Sequence, residues 1–468
     1  MKRKTLLIGL AVMPFLFSSC GSTAENADSS TEIMEIHPDP GSGYWNYRGE
    51  RTMLLGGSVE DNLFQVPDVA AHLDLLKSAG GNYVRCTMSS RDEGNEWPFS
   101  INDDGLYDLH DPNPVYWKRF ADFLAAAEER GIIVQVEIWA TFDFYRDNWE
   151  VNPFNPVNNV NYDQKRSKLS SKVPTHPIFT ENNFFRSVPS QMALAPVLRA
   201  QQLFVDQLLS ISLQHENVLY CMDNETSVTS DWGKFWADYI REKGRSANVF
   251  VNTTEMWDPW ELDHPFHAET FMNPQIYNFV DISQNNHQTG DVHWDNGLRV
   301  MEKIRQRAIR PVNNVKIYGN DGGRHKTTRN GIENFVQNVL MGCASARFHR
   351  PTSGQGLNET AQSVIRSMRM LTDEEGFFEG KADNGVFVKR TEDQQYCRVL
   401  PGDKYIVYFT RAGRASLDTG DKVKEFRIRW LNVMESAWQE EISLPGNGIL
   451  EIETPGEGDW IALISAGS

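Results

Sequence analysis

Asn217-Val-Leu-Tyr-Cys-Met-Asp-Asn-Glu225 is the stretch on which the architecture turns. The run Val218 to Met222 has the length and composition of a strand covered on both faces, and it stops abruptly at three polar residues. A strand apolar along its length and polar at its C-terminal tip suits a parallel sheet that carries its reactive groups at one end. Leu198–His215 before it and Trp232–Gly244 after it have apolar residues at helical spacing, so the run is one step of a strand–helix alternation.

The alternation extends in both directions. Seven further runs read as strands: Thr52–Gly56, Tyr83–Thr87, Ile132–Trp139, Val249–Asn252, Phe279–Ser283, Val315–Gly319 and Ala344–Phe348. Helical patterns at Pro67–Gly80, Tyr116–Gly131, Gly297–Ala308 and Gly331–Met341 separate most of them, and Gly131 is placed to cap the second. Eight such units predict a (β/α)8 TIM barrel over residues 36–376. The Asn-, Pro- and aromatic-rich stretch from Thr141 to Ala195 then becomes a long third loop over the active face. Beyond about Phe377 the period changes. Gly385–Lys389, Tyr405–Thr410, Glu425–Trp430, Ile449–Glu453 and Trp460–Ser465 are short alternating strands with no helix between them, which predicts a small all-β sandwich over 377–468.

The N-terminus reads as a leader. Lys2-Arg-Lys4 precedes an apolar stretch, Thr5–Phe17, too short to span a bilayer, and Phe17-Ser-Ser-Cys20 ends it. This resembles a bacterial lipoprotein signal over residues 1–19, which implies lipidation of Cys20, export, and anchoring in the cell envelope. The small polar residues that follow, to about residue 35, make a flexible tether. The formal net charge of −17 repels polyphosphate and excludes nucleic acid as an expected partner. Cys86, Cys221, Cys343 and Cys397 form no CxxC pair and are expected as buried thiols, so no metal site is expected, and no cofactor. Neither HExxH nor GxSxG occurs.

Reactive groups of such a barrel lie at the strand tips. The tips here supply Asp61 and Asn62, Arg85, Glu137 with Trp139, Asn224 with Glu225, Glu255 with Trp257 and Trp260, Asn285 with His287, Tyr318 with Asp321, and Arg347 with His349. Aromatic faces stack on the C–H faces of sugars while amide, carboxylate, imidazole and guanidinium groups exchange hydrogen bonds with hydroxyls, so the mixture points to a carbohydrate ligand. The same rings could instead plug the barrel. Arg85, Arg324, His325, Arg347 and Arg350 could receive a uronate or sulfate, or could pair internally with Asp92, Asp223 or Glu225.

Asn224-Glu225 at this position, with His215-Glu-Asn-Val-Leu-Tyr220 leading in, resembles the fourth strand of clan A glycoside hydrolases. The resemblance implies Glu225 as general acid/base, Asn224 on the sugar 2-hydroxyl, and a nucleophilic carboxylate at the seventh strand tip of a retaining enzyme. Val315-Lys-Ile-Tyr-Gly-Asn-Asp321 departs from that pattern, having no Glu. Asp321 is the candidate nucleophile, weighed against a turn role before Gly322-Gly323, and Glu137, Glu255 and Asp61 are the alternatives. A general acid must start protonated, so the Glu225 pKa is expected to be raised. Tyr47-Arg-Gly49, Leu54-Leu-Gly-Gly57, Gly81-Asn-Tyr-Val-Arg85, Tyr405–Phe409, Phe426–Trp430 and Gly458–Ala462 together resemble apiosidase-like barrels followed by a collagen-binding-type sandwich. That resemblance implies hydrolysis of plant or algal polysaccharide. The rival expectation is a glycan-binding lipoprotein on a degenerate barrel that has lost its nucleophile.

Overall fold

The computed structural model describes residues 34–176, 182–322, 325–420, 425–446 and 448–467. Cys20, the leader, most of the tether and Arg324 lie outside the described residues. No helix among the described residues is long and apolar enough to cross a membrane.

The N-terminal portion is a (β/α)8 barrel. Its staves are β1 (Leu54–Gly57), β2 (Tyr83–Thr87), β3 (Ile133–Ala140), β4 (Val218–Thr226), β5 (Asn252–Trp257), β6 (Val280–Asp281), β7 (Val312–Asn313) and β8 (Ser345–Phe348). A parallel ladder runs in the order β5-β4-β3-β2-β1-β8, and β6 pairs with β7. The Ala344 N–H donates to Val312 O and Ile317 bridges Phe348 in parallel, which joins β7 to β8. The seam between β5 and β6 is sewn by a side chain, since Asn278 Oδ1 accepts from the Thr253 N–H and its Nδ2 donates to Asn252.

Two staves depart from the sequence reading. The fifth strand begins at Asn252, where Val249–Asn252 was expected to end. Phe250, 55% exposed, shows why: the apolar run Val249–Val251 enters the barrel from solvent, and the buried strand is the polar Asn-Thr-Thr-Glu that follows. The seventh is regular only at Val312–Asn313, before Val315–Gly319. Helices at Pro265–Phe271 and Glu359–Thr372, not anticipated from the sequence, complete the outer ring.

A three-stranded antiparallel sheet, His37–Pro38, Trp45–Tyr47 and Glu50–Thr52, covers the N-terminal mouth. Trp45 Nε1 donates to Asn313 and Ile36 O accepts from Asn252, so that end is shut. After Thr372 the chain forms two antiparallel sheets around their own apolar core, centred on Val407, Phe409, Leu417, Ile428 and Trp430. The larger sheet's other face, including Tyr396, Ile406, Tyr408 and Leu431, is continuous with the barrel core. Arg398 crosses that junction, donating to Leu340 O and the Tyr44 hydroxyl. The four described cysteines are buried and unpaired.

Candidate active site

With the bottom closed, the open end of the barrel is the C-terminal one. A cleft of about 340 Å³ lies there, lined by Asp61, Arg85, Arg91, Phe142, Asn224, Glu225, Lys316, Tyr318, His325, His349, Arg350, Thr352 and Ser353. Its residues come from the tips of β1, β2, β4 and β8, the irregular continuation of β7, and the long loop after β3.

Glu225 lines the cleft. Its backbone is left-handed (φ +63°), an uncommon conformation for a residue with a side chain, and the β4–β5 register slips there. Lys316 Nζ reaches it from the irregular continuation of β7 and donates to Oε1 at 2.6 Å; the lysine side chain is 1% exposed and the glutamate 14%. Burial alone would raise the Glu225 pKa, but the charge and hydrogen bond of Lys316, followed by Arg85 and His287, outweigh it and leave the carboxyl below its ordinary value. The raised pKa expected of a resting general acid is therefore not found. The physical reason is Lys316, which faces the barrel mouth where the family resemblance leads one to look for a carboxylate.

Asp61 is ringed by three guanidinium groups and an imidazole: Arg350 Nε at 3.4 Å, Arg85 Nη1 at 3.5 Å, His349 Nε2 at 3.7 Å and Arg91 Nη2 at 3.8 Å. Although burial opposes it, Arg85, His349, Arg350 and Arg91 hold this carboxyl well below the usual range. Each arginine has a second carboxylate: Arg85 meets Glu137 at 2.8 Å, Arg91 meets Asp143 at 3.1 Å, and Arg350 meets Glu60 at 2.9 Å. Internal pairing is thus the arrangement observed, although not with the partners considered from sequence. Burial pushes His349 well below its ordinary pKa, and its Nδ1 is 2.6 Å from Ser353 Oγ.

Rings form the rim. Trp260, 53% exposed, stacks on His287 with centroids 4.0 Å apart and planes 15° apart. His287 lies 4.6 Å from Tyr318, which in turn neighbours His325 at 4.8 Å and His349 at 5.2 Å. Burial, with His325 nearby, lowers the His287 pKa to about 3, so that ring is neutral. Tyr318, buried beside Glu225, is pushed well above its ordinary value.

The structure thus brings Asp61, Arg85, Asn224, Glu225, Tyr318 and His349 together in the cleft, with His287 packed against Tyr318. Five sequence candidates lie elsewhere. Asp321 is exposed and accepts from the Thr328 N–H at 2.9 Å, holding the start of the helix Thr328–Met341. The chain turns away from the mouth at Gly319, whose φ of +132° and approach to Gly331 leave no room for a side chain. Trp139 is buried among Phe144, Phe154, Phe184, Phe204, Trp232 and Trp236, and so plugs the barrel flank. Arg347 staples three staves, donating to Val315 O and the Ser58 hydroxyl. Asn285 donates to His293 O, and Asn62 donates to Ser89 O while lining a separate surface groove. Of the alternatives to Asp321, Glu137 is committed to Arg85. Glu255 points out between β5 and the helix Ser230–Ala247, accepting from Thr226 and abutting Gly233. Burial raises its pKa far above the ordinary carboxylate range.

One acid near Glu225 escaped the sequence reading. Asp258 follows β5 directly, and its N–H donates to Thr226 O at 3.1 Å, beside Glu225 in the chain. Its carboxylate is 23% exposed and lies 3.8 Å from His176 Nε2. Burial first, then the Glu225 charge, raises its pKa to about 6 against the lowering effects of Lys316 and a Ser227 hydrogen bond. The signal in the sequence is Trp257-Asp-Pro-Trp260, an acid between two tryptophans. It was missed because the fifth strand was expected to end five residues earlier. No group of His, Cys, Asp and Glu among the described residues could hold a metal ion.

No family profile and no curated protein sequence matches the chain. Solved structures do resemble it. A protein described as a glycoside hydrolase superposes with a TM-score of 0.62 at 13% identity, over 92% of this chain and 97% of that one. A glycoside hydrolase family 5 structure from Bacteroides vulgatus ATCC 8482 gives 0.62 at 12% identity, over 92% and 94%. A family 5 mannosidase from Rhizomucor miehei gives 0.50 at 11% identity, over 73% and 98%. At these identities the likeness is one of fold, and the first two extend it over barrel and C-terminal sheets alike.

Proposed function

We propose that the protein is an exported, lipid-anchored glycoside hydrolase acting on a plant- or algal-type polysaccharide or its oligosaccharides, in the manner of the apiosidase-like barrels. The observation that carries this reading is Glu225, a carboxylate held ionised at the tip of β4 inside the one end of the barrel left open. Asn224 beside it keeps a buried amide oxygen without a hydrogen-bond partner among the described residues, suited to accept from a sugar hydroxyl. Because Arg85, Arg91 and Arg350, the arginines of the cleft among the described residues, are already matched by carboxylates, the cleft suits a neutral sugar better than a uronate or sulfate. The mannosidase among the structural neighbours makes mannans one member of the test panel.

The rival reading, a glycan-binding protein without turnover, is favoured by one feature, Lys316 facing Glu225 from the seventh strand. The test is release of reducing sugar from a panel of mannans, xylans, pectins, arabinogalactans and algal polysaccharides by the wild type and by Glu225→Gln. Cleavage of a panel member, with loss of about 10²-fold or more in the variant, supports the hydrolase. Binding of a panel member without any cleavage supports the rival. Equal cleavage by both proteins removes Glu225 from the chemistry.

A further inference from the structure

Glu225 has a lysine where a glycosidase of this architecture needs a second acid, and an acid near enough to feel its charge, with its backbone tied to Thr226, comes from the tip of the next strand. Five other carboxylates on or beside the barrel wall have raised pKa values, Asp143, Glu137, Asp223, Glu255 and Asp281, all buried. Asp223 is bound by the Thr141 N–H and hydroxyl, Asp281 by the Ser283 N–H, Glu137 by Arg85, Asp143 by Ser89 and Arg91, and Glu255 lies outside the barrel wall. None of these can meet a substrate without dismantling its stave or its ion pair. Asp258 can, being partly exposed at the β5 tip, tied to Thr226 through its own backbone, and flanked by Trp260 and His176.

We infer that Asp258 is the proton donor of this site and Glu225 its ionised partner, the reverse of the roles that the Asn224-Glu225 resemblance implies. The inference rests on the hydrolase reading and names the second acid that reading lacks. In the reaction, Asp258 gives its proton to the glycosidic oxygen as the bond from that oxygen to the anomeric carbon breaks, the electron pair leaving with the oxygen. Water supplies the hydroxyl to the anomeric carbon and its proton passes to Glu225. The two acids then return to their starting states by exchange with solvent.

Lys316 makes the division of labour stable. Its ammonium sits on Glu225 at 2.6 Å and keeps the negative charge there, and that charge in turn favours the protonated form of Asp258. Among the described residues Glu225, Lys316, His176, Ser227 and Tyr145 face Asp258; burial, with Arg146 adding to it, outweighs the pull of Glu225 and lowers the His176 pKa below its ordinary value, so that ring adds little positive charge near neutrality, and burial keeps the Tyr145 hydroxyl protonated. Two acids with pKa values pushed apart by their surroundings are what acid–base hydrolysis requires.

The experiment has two arms. The first follows the carboxyl carbon of Asp258 by NMR in protein labelled at aspartate, assigned with Asp258→Asn, in the wild type and in Glu225→Gln. A midpoint near 6 that falls in Glu225→Gln is expected; a midpoint below about 4.5, or one indifferent to Glu225, overturns the coupling whether or not a substrate is known. The second arm compares Asp258→Asn, Asp258→Glu and Glu225→Gln on the cleaved polysaccharide and on 2,4-dinitrophenyl glycosides, whose leaving group needs no acid. Asp258→Asn should lose about 10²- to 10⁴-fold on the polysaccharide and less than about tenfold on the activated glycoside, with partial recovery in Asp258→Glu. Glu225→Gln should lose both activities. If Asp258→Asn cleaves the polysaccharide like the wild type while Glu225→Gln is dead, the assignment falls and the hydrolase reading stands. If the wild type cleaves nothing in the panel, the hydrolase reading falls and takes the assignment with it. Melting temperatures within about 2 °C of the wild type exclude misfolding as the cause.

Discussion

Replacing Lys316 by methionine removes the cation that, among the described residues, touches Glu225, and keeps most of the aliphatic stem. The carboxylate would then remain buried without its direct counter-charge. Breaking a buried ion pair by deleting one partner costs about 3–5 kcal/mol. Because the Glu225 side chain keeps 14% exposure and Arg85 still acts on it, we expect the lower part of that range, about 3 kcal/mol at pH 8. The sign against pH follows from the folded pKa. In the wild type it lies below the unfolded value, so the carboxylate stabilises the fold above the unfolded pKa, and that contribution fades as pH falls through the folded one. In Lys316→Met burial is no longer outweighed, and the folded pKa moves above the unfolded one. The variant is then penalised above pH 5 and relieved as Glu225 takes up a proton. Urea unfolding of both proteins at pH 8 and pH 4.5 measures this directly. The difference in unfolding free energy should be about 3 kcal/mol at the higher pH and shrink to about half or less at the lower. An equal loss at both values would refute the reasoning, since it would trace the cost to packing and not to charge. In the same variant the Asp258 midpoint should move further above its ordinary value while Glu225 remains ionised, because burial, the larger cause, stays and the lowering effect of Lys316 is gone.

Three further outcomes follow from the geometry. Asp321→Asn should leave polysaccharide cleavage within about twofold and stability within about 0.5 kcal/mol, because its carboxylate serves an exposed helix start; a hundredfold loss of activity would return it to the site. Gly319→Ala should destabilise by about 2 kcal/mol or more in thermal or urea unfolding, its methyl meeting Thr327 O at 2.5 Å with φ at +132°. A neutral result there would mean that the turn away from the cleft is not fixed by close packing. Trp260→Ala should weaken retention by a bound polysaccharide in affinity electrophoresis by about 2- to 10-fold, the value of one lost stacking face, with no change in melting temperature beyond about 2 °C; unchanged retention would remove the rim from binding.

Much of the barrel could be read from its alternation, since a parallel strand covered on both faces writes itself as a short apolar run. Tyr83–Thr87 has the bounds expected, and Val218 starts its stave as expected. The readings that failed lie where polar residues occupy the barrel wall. Asn252-Thr-Thr-Glu255 is strand although it has the look of a loop, because each side chain finds a partner or a buried niche that only the assembled barrel supplies, as Asn252 does with Ile36 O and Glu255 with Thr226. Misplacing that strand moved the expected tip from Trp257-Asp258 back to Asn252, and Asp258 went unseen.

The sequence by itself determined the (β/α)8 order, the strand-rich C-terminal region, and the placing of Asn224-Glu225 at the fourth strand tip, for periodicity and local composition encode which face of each element is buried. Only the tertiary structure decided the company Glu225 keeps. Lys316 is 91 residues away in the chain, Asp258 follows a neighbouring stave, and Asp321, two residues past the expected end of the seventh strand, is carried outside by the turn at Gly319. Which charge faces which across a closed barrel depends on stave register and loop direction, and one residue of slip sends a side chain to the other side of the wall.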